Sequence, residues 1–191
     1  MKGMNTFDSS LKVKDALPIY FSRYHFKDGG YHSKWFKIKM GPVYIPMPNI
    51  KMRVDAVKIH DIHHLITEYE ADMKGEIEIG AWEIASGCGH YAAAWILNFG
   101  SFFYGLILHP HFLLRAFLRG RKCPTNLYYH TKYDEKLLNK TIGELRSSIE
   151  PESSKINSPK DYLIFILCCL LSIAVAILFF WIAYKLFGIL F

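Results

Sequence analysis

Residues Tyr162 to Tyr184 form an unbroken run of 23 without a charge, dense in Leu, Ile, Phe, Val and Ala. As a helix this run rises about 34 Å, enough to cross a bilayer core of about 30 Å. Tyr162 lies at one end and Trp181 and Tyr184 near the other, where interfacial aromatics belong. Core helices of soluble domains seldom run so long without charge, so the segment reads as a transmembrane helix. Seven residues follow it, which makes it a single-pass C-terminal anchor. Of the 23 Lys and Arg residues, only Lys185 follows the span, and the positive-inside tendency places the preceding domain on the cytoplasmic side. The chain therefore divides into a domain over 1–146, a linker over 147–161 rich in Ser, Pro and charge, and the anchor over 162–184.

A net charge of +6 and a pI near 9.0 suit an anionic membrane surface or a nucleic acid. No zinc-finger spacing, glycine-rich phosphate loop or RNA-binding aromatic motif is present, so no nucleic-acid partner is expected. Cys88, Cys123, Cys168 and Cys169 have neither disulfide-framework nor CxxC spacing, which favours a reducing compartment. The polar N-terminal stretch, Met1 to Lys14, does not resemble a secretory signal.

A second uncharged run, Tyr91 to Leu108, is interrupted by Asn98, Gly100, Ser101 and Gly105 and stops at His109-Pro110. A crossing there would strand basic residues on the wrong side, which favours a core or membrane-dipping helix over a span. Elsewhere the pattern predicts helices over Ala16–Phe26, Ile50–Glu68 capped by Asn49, Met73–Ser86 capped by Asp72, Phe112–Leu118 and Asp134–Ile149. Lys34–Met40 and Val43–Ile45, joined by Gly41-Pro42, read as a short β-hairpin. The expected fold class is all-α: a helical bundle with a short N-terminal hairpin and a C-terminal transmembrane helix.

The candidate chemistry lies on the first long helix. His60 and His64 are four residues apart and point the same way, and Asp61 shares their broad face. Two imidazoles and a carboxylate suit Zn, Fe, Mn or Co. Glu76 is too far along a continuous helix to join them, about 18 Å away. A turn near Tyr69–Asp72 would fold a second helix back and deliver it, with Gly75 and Gly80 allowing close approach. Glu83 lies seven residues beyond Glu76, as a carboxylate behind the site, a proton shuttle or a simple ion-pair partner. His63 completes a His60-x-x-His63-His64 box like those of membrane di-iron hydroxylases. Those enzymes need about three boxes, and no second one is found, so His63 reads as a supporting or packing residue.

The segment KIHDIHHLITEYEADMKGEIEIGAWEIASG is similar to the signature of the Coq-four family of coenzyme Q biosynthesis: HDxxH, eleven residues, then Glu. His60, Asp61, His64 and Glu76 fill its four positions, with Gly75 before the Glu. LLNKTIGELRSSI, Leu137 to Ile149, resembles the family's closing helix, and MGPVYIPMPN resembles a segment upstream of the motif. The resemblance covers roughly residues 15–149. It implies a helical fold in which those four residues hold a divalent metal, usually described as zinc. It further implies ubiquinone biosynthesis: oxidative decarboxylation, carboxylate to hydroxyl, of a prenylated 4-hydroxybenzoate-like lipid. A non-catalytic prenyl-lipid-binding scaffold for other quinone-biosynthesis enzymes is the alternative, and a His-box membrane hydroxylase a further one. The C-terminal anchor departs from the peripheral membrane association typical of that family.

Overall fold

The protein was analysed as a computed structural model that describes residues 6–40, 43–123, 125–149 and 157–190. It is mostly helical with one two-stranded hairpin, as the sequence pattern predicts.

Helix α1 spans Val13–Tyr24 and buries Val13, Ala16, Leu17, Tyr20 and Phe21. It starts three residues before the expected Ala16, which leaves Pro18 inside the helix rather than in its first turn. A proline there removes one intrahelical hydrogen bond, and burial of the five-residue apolar face offsets that loss. The hairpin pairs β1 (Trp35–Met40) with β2 (Val43–Pro48) antiparallel, from Trp35 opposite Pro48 to Met40 opposite Val43. The predicted Gly41-Pro42 turn lies outside the described residues.

Helix α2 (Lys51–Thr67) and helix α3 (Met73–Ser86) are separated by the turn expected near Tyr69–Asp72. Asp72 caps α3 as predicted, accepting from Gly75 N–H at 2.7 Å. Asn49 does not cap α2. The cap position is Ile50, and the Asn49 amide instead donates to the carbonyls of Gly30 and Ser33 and accepts from Arg53. Two carbonyls of the preceding loop and the Arg53 guanidinium of α2 outcompete one helix N–H for this side chain.

Helix α4 (Ala92–Leu108) and helix α5 (Pro110–Lys122) form a tight corner at His109, with Pro110 at the first position of α5. The short helices α6 (Leu127–His130), α7 (Glu135–Leu138) and α8 (Ile142–Ile149) follow. The predicted single helix Asp134–Ile149 is thus two. A second start signal lies within it: Thr141 and Glu144 form a capping box, with the Thr141 N–H donating to the Glu144 carboxylate and the Glu144 N–H to the Thr141 hydroxyl. Ile142, Leu145 and Ile149 of α8 are buried, so the packed body extends past the expected boundary at 146. Of the expected linker, 150–156 lie outside the described residues.

Helix α9, Pro159–Leu190, contains a stretch long and apolar enough to cross a membrane, Pro159–Ile182. One core cluster joins α1, α2, α3 and α8 around Tyr20, Ile59, Ile62, Leu65, Trp82 and Leu145. A second joins α3, α4 and α5 around Ile77, Phe102, Leu113 and Phe117. The N-terminal part of α9 packs on that second cluster through Ile164, Phe165, Cys168 and Cys169. Gly120 makes the α3–α5 packing possible, since a Cβ there would press on the Trp82 carbonyl and Ala85.

Candidate metal centre

The site forms where α3 folds back over the middle of α2. Two details of the turn place Glu76. Asp72 fixes the first turn of α3, and Gly75 lies so close to the Glu70 carbonyl that a Cβ would collide with it. Gly80 serves a different contact from the one expected. It faces Ser101 and Asn98 of α4 rather than α2.

His60, His64 and Glu76 come together. The Nε2 atoms of His60 and His64 are 3.1 Å apart. Glu76 Oε2 lies 3.4 Å from His60 Nε2, and Glu76 Oε1 lies 3.3 Å from His64 Nε2. The protonation of the two rings follows from what holds their other nitrogens. His64 Nδ1 sits 3.0 Å from the Tyr69 carbonyl oxygen, which can only accept, so that nitrogen carries the proton. His60 Nδ1 lies 3.0 Å from the Glu83 carboxylate, with the same consequence. In the neutral rings both Nε2 atoms then present lone pairs toward each other and toward a carboxylate. Four electron-rich atoms, the two nitrogens and both Glu76 oxygens, repel at this spacing unless a proton or a metal cation sits among them. Burial disfavours charge on His60, but Glu83 and Glu76 hold its pKa well above the ordinary range, so the site draws positive charge.

Their spacing also fits a particular charge. A tetrahedral cation with bonds of about 2.0–2.1 Å holds its ligand atoms about 3.3–3.4 Å apart. The separations of 3.1, 3.3 and 3.4 Å are each close to that edge length, with Glu76 presenting Oε2 to His60 and Oε1 to His64. The outer partners, a carboxylate on one imidazole and a backbone carbonyl on the other, are those that orient metal-bound histidines. His64 is buried and stacked on Tyr20 at 5.7 Å, whereas the Glu76 side chain is 42% exposed. The three ligands thus cover the protein side of the site and leave a side toward solvent.

Asp61 stands outside the group of three whose ligand atoms gather within 4.8 Å of one another. It is the next residue round the helix from His60, and its carboxylate accepts from the Tyr31 hydroxyl at 2.6 Å. Burial pushes this carboxyl up to about 6, against the pull of the imidazoles and Tyr31. The folded protein therefore holds the Asp61 proton more tightly than the unfolded chain, and ionisation above about pH 6 opposes folding. Asp61→Asn is expected to stabilise the metal-free protein above about pH 6 and to change little below about pH 4, where both forms are neutral. Thermal unfolding with chelator across that range checks this.

Glu83 lies behind His60 with no exposure. Besides His60, it accepts from His63 Nδ1 at 2.6 Å, Asn98 Nδ2 at 2.6 Å and the Tyr128 hydroxyl at 3.3 Å. Burial works to raise its pKa, but the two imidazoles and these donors hold it well below the ordinary range. His63 is turned away from the ligands. Its Nε2 accepts from Leu127 N–H at 3.2 Å while its Nδ1 donates to Glu83, so the ring is neutral. Burial lowers its pKa, in keeping with that form.

Tyr31 and Tyr128 carry no signal in the sequence, and Asn98 shows there only as a polar break in an apolar run. They reach the site from a loop, from α6 and from α4, across sequence separations of 30, 45 and 15 residues. No protein-family model, no curated protein and no solved structure matches the chain.

Proposed function

We propose that this protein is a membrane-anchored, metal-dependent enzyme whose ion is held by His60, His64 and Glu76, with Asp61 beside them. The observation that carries the reading is the convergence of two Nε2 lone pairs and one carboxylate at ligand spacing, with one side of the group exposed. Three protein ligands and an open position characterise catalytic rather than structural sites. Zinc suits the donor set, as do iron, manganese and cobalt. When bound, such a cation supplies a Lewis acid that neutralises a carboxylate or phenolate and stabilises developing charge.

The protein's own groups supply the rest. Glu83 and the Tyr69 carbonyl hold the Nδ1 protons of His60 and His64, and so keep each Nε2 aimed at the ion. Tyr20 walls the buried side of His64. Asp61, with its raised pKa and Tyr31 partner, is the group beside the ligands able to hold a proton near neutrality.

The resemblance to the Coq-four signature supports a substrate class, a prenylated 4-hydroxybenzoate-like lipid whose ring carboxylate is replaced by hydroxyl. Helix α9 supports a location at the bilayer, and the charge distribution a cytoplasmic-facing domain. The di-iron His-box reading is disfavoured because His63 points away from the ligands, and because the described residues contain one candidate metal group.

The test is to incubate the detergent-purified full chain, loaded with each candidate metal in air, with a prenylated 4-hydroxybenzoate. Mass spectrometry is expected to show the ring carboxylate exchanged for hydroxyl in wild type and unchanged substrate with His64→Ala. Tight binding of the lipid without turnover under every metal would favour the scaffold reading.

A further inference from the structure

We propose that the corner between α4 and α5 dips into the bilayer beside α9, so that the domain rests on lipid by a second contact. The inference depends on α9 crossing the membrane as proposed above.

The relative direction of the helices follows from two contacts. Arg121 Nε donates to Asp161 at 2.8 Å at the start of α9. Four residues along each helix, Phe117 meets Phe165 at 5.2 Å between ring centroids. Helix α5 therefore runs antiparallel to α9, and its first residue lies about 16 Å along α9 from Asp161. That is the level of Ser172, which is completely buried in a helix otherwise exposed on its outer side. Helix α4 enters the same corner through His109, so its C-terminal end points the way α9 travels. Phe102 of α4 also touches Phe165, at 5.7 Å.

The α4 side of this corner suits lipid. Helix α4 has no charged residue over its 17 positions. Its outward stripe is Ile96, Gly100, Phe103 and Ile107, and Ile107 is 64% exposed with Leu108 beside it at 46%. On α9, the outward residues at the same level, Leu167, Leu170 and Leu171, are apolar and about half exposed. Helices α4 and α9 pack on one another, and no polar side chain of α4 interrupts the stripe. On the α5 side, exposed Arg115 lies about 7 Å back from the corner toward Asp161, exposed His111 lies at the corner, and Lys74 covers the Phe112 ring at 4.0 Å, so the lipid-facing surface is the α4 side. An exposed helix face this apolar is unusual on a monomeric surface, and the neighbouring span identifies what covers it.

The measurement is fluorescence of an environment-sensitive label on single introduced cysteines, in the full chain reconstituted into phosphatidylcholine vesicles containing some phosphatidylglycerol. Cys168 and Cys169 are replaced by Ala, while buried Cys88 and Cys123 are kept and the background is taken from that parent. Labels go at Ile107, Leu108, Phe103 and Ile96 on α4, at Ile177 on the outer face of α9, and at Lys136 on α7 as the aqueous reference. The expected result is a blue shift and quenching by acyl-chain-brominated lipid at 107 and 108, weaker at 103 and weakest at 96, with 177 quenched and 136 unaffected.

A lipid-quenched label at 177 with aqueous labels at 107 and 108 would overturn the proposal and leave the anchor standing. Labels at 107 and 108 shielded from iodide but insensitive to brominated lipid would also overturn it, in favour of contact with a second copy. Equal quenching at 96 and 107 would overturn the end-on placement of the corner. An unquenched label at 177 would overturn the anchor itself and the proposal with it.

Discussion

Glu83→Leu is expected to weaken metal binding about 10- to 100-fold and to destabilise the fold by about 3–5 kcal/mol. Glu83 touches no solvent, and the structure places it away from the open side of the site. Its effect is indirect. The carboxylate collects Nδ1–H of His60, Nδ1–H of His63, the Asn98 amide and the Tyr128 hydroxyl. A leucine fills similar space but leaves these donors buried without an acceptor, and an unsatisfied buried donor costs more than its hydrogen bond gained. The His60 ring also loses what fixes its tautomer, so Nε2 is no longer held as a lone pair toward the ion. Isothermal titration with zinc and chemical denaturation measure the two effects separately. Glu83→Gln keeps the shape and one accepting oxygen, so it is expected to fall between wild type and Leu in both measurements. A Glu83→Leu protein with unaltered metal affinity would show that the shell behind His60 does not set its orientation.

Glu76→Ala separates binding from folding. Glu76 belongs to the ligand group, yet its side chain is 42% exposed and lies in the first turn of α3. Its removal is expected to weaken metal binding at least about 100-fold, more than loss of a supporting partner. The fold should lose no more than about 1 kcal/mol, the scale of a carboxylate's favourable interaction with a helix N-terminus. In the metal-free protein the removal also takes away the negative partner of the two imidazoles, so a residual site holds less positive charge of any kind. Titration with zinc and thermal unfolding under chelator give the two numbers. Wild-type affinity in this variant would remove Glu76 from the ligand set.

The residues that could be read from sequence were those whose role depends on local spacing. His60 and His64 are one helical turn apart, which fixes their common direction before any tertiary contact exists. Glu76 needed one further fact, a turn between two helices, and the Asp72 cap supplied it. Asp61 shows the limit of this reasoning. Helical spacing placed it on the same broad face, but whether its carboxylate turns toward His64 depends on Tyr31, thirty residues earlier in an irregular loop. Asn98 and Tyr128 are likewise supplied by tertiary packing: nothing near Tyr128 marks it, and Asn98 stands out as a polar residue in an apolar run without its partner Glu83 being legible. The same division holds in the fold. The long apolar run of α9 and the Asp72 cap were legible, whereas the break between α7 and α8 depended on Thr141 and Glu144 capping a new helix inside an apolar periodicity that looked continuous. Asn49 was misread because its loop partners are distant from any helix signal.

Protons compete with the ion for His60 Nε2: burial favours the neutral ring, yet the Glu83 and Glu76 carboxylates hold its pKa well above the ordinary imidazole range, so metal affinity should fall steadily as pH is lowered from the alkaline side through neutrality. That dependence follows from the central claim, and metal content tests the claim itself. Elemental analysis of the detergent-purified full chain, with His64→Ala prepared in parallel, is the most direct measurement. The account predicts one transition-metal ion per wild-type chain and its loss from His64→Ala with the helical content unchanged. Wild-type protein that neither carries nor takes up a divalent metal, or a His64→Ala protein that retains it equally, would contradict the account.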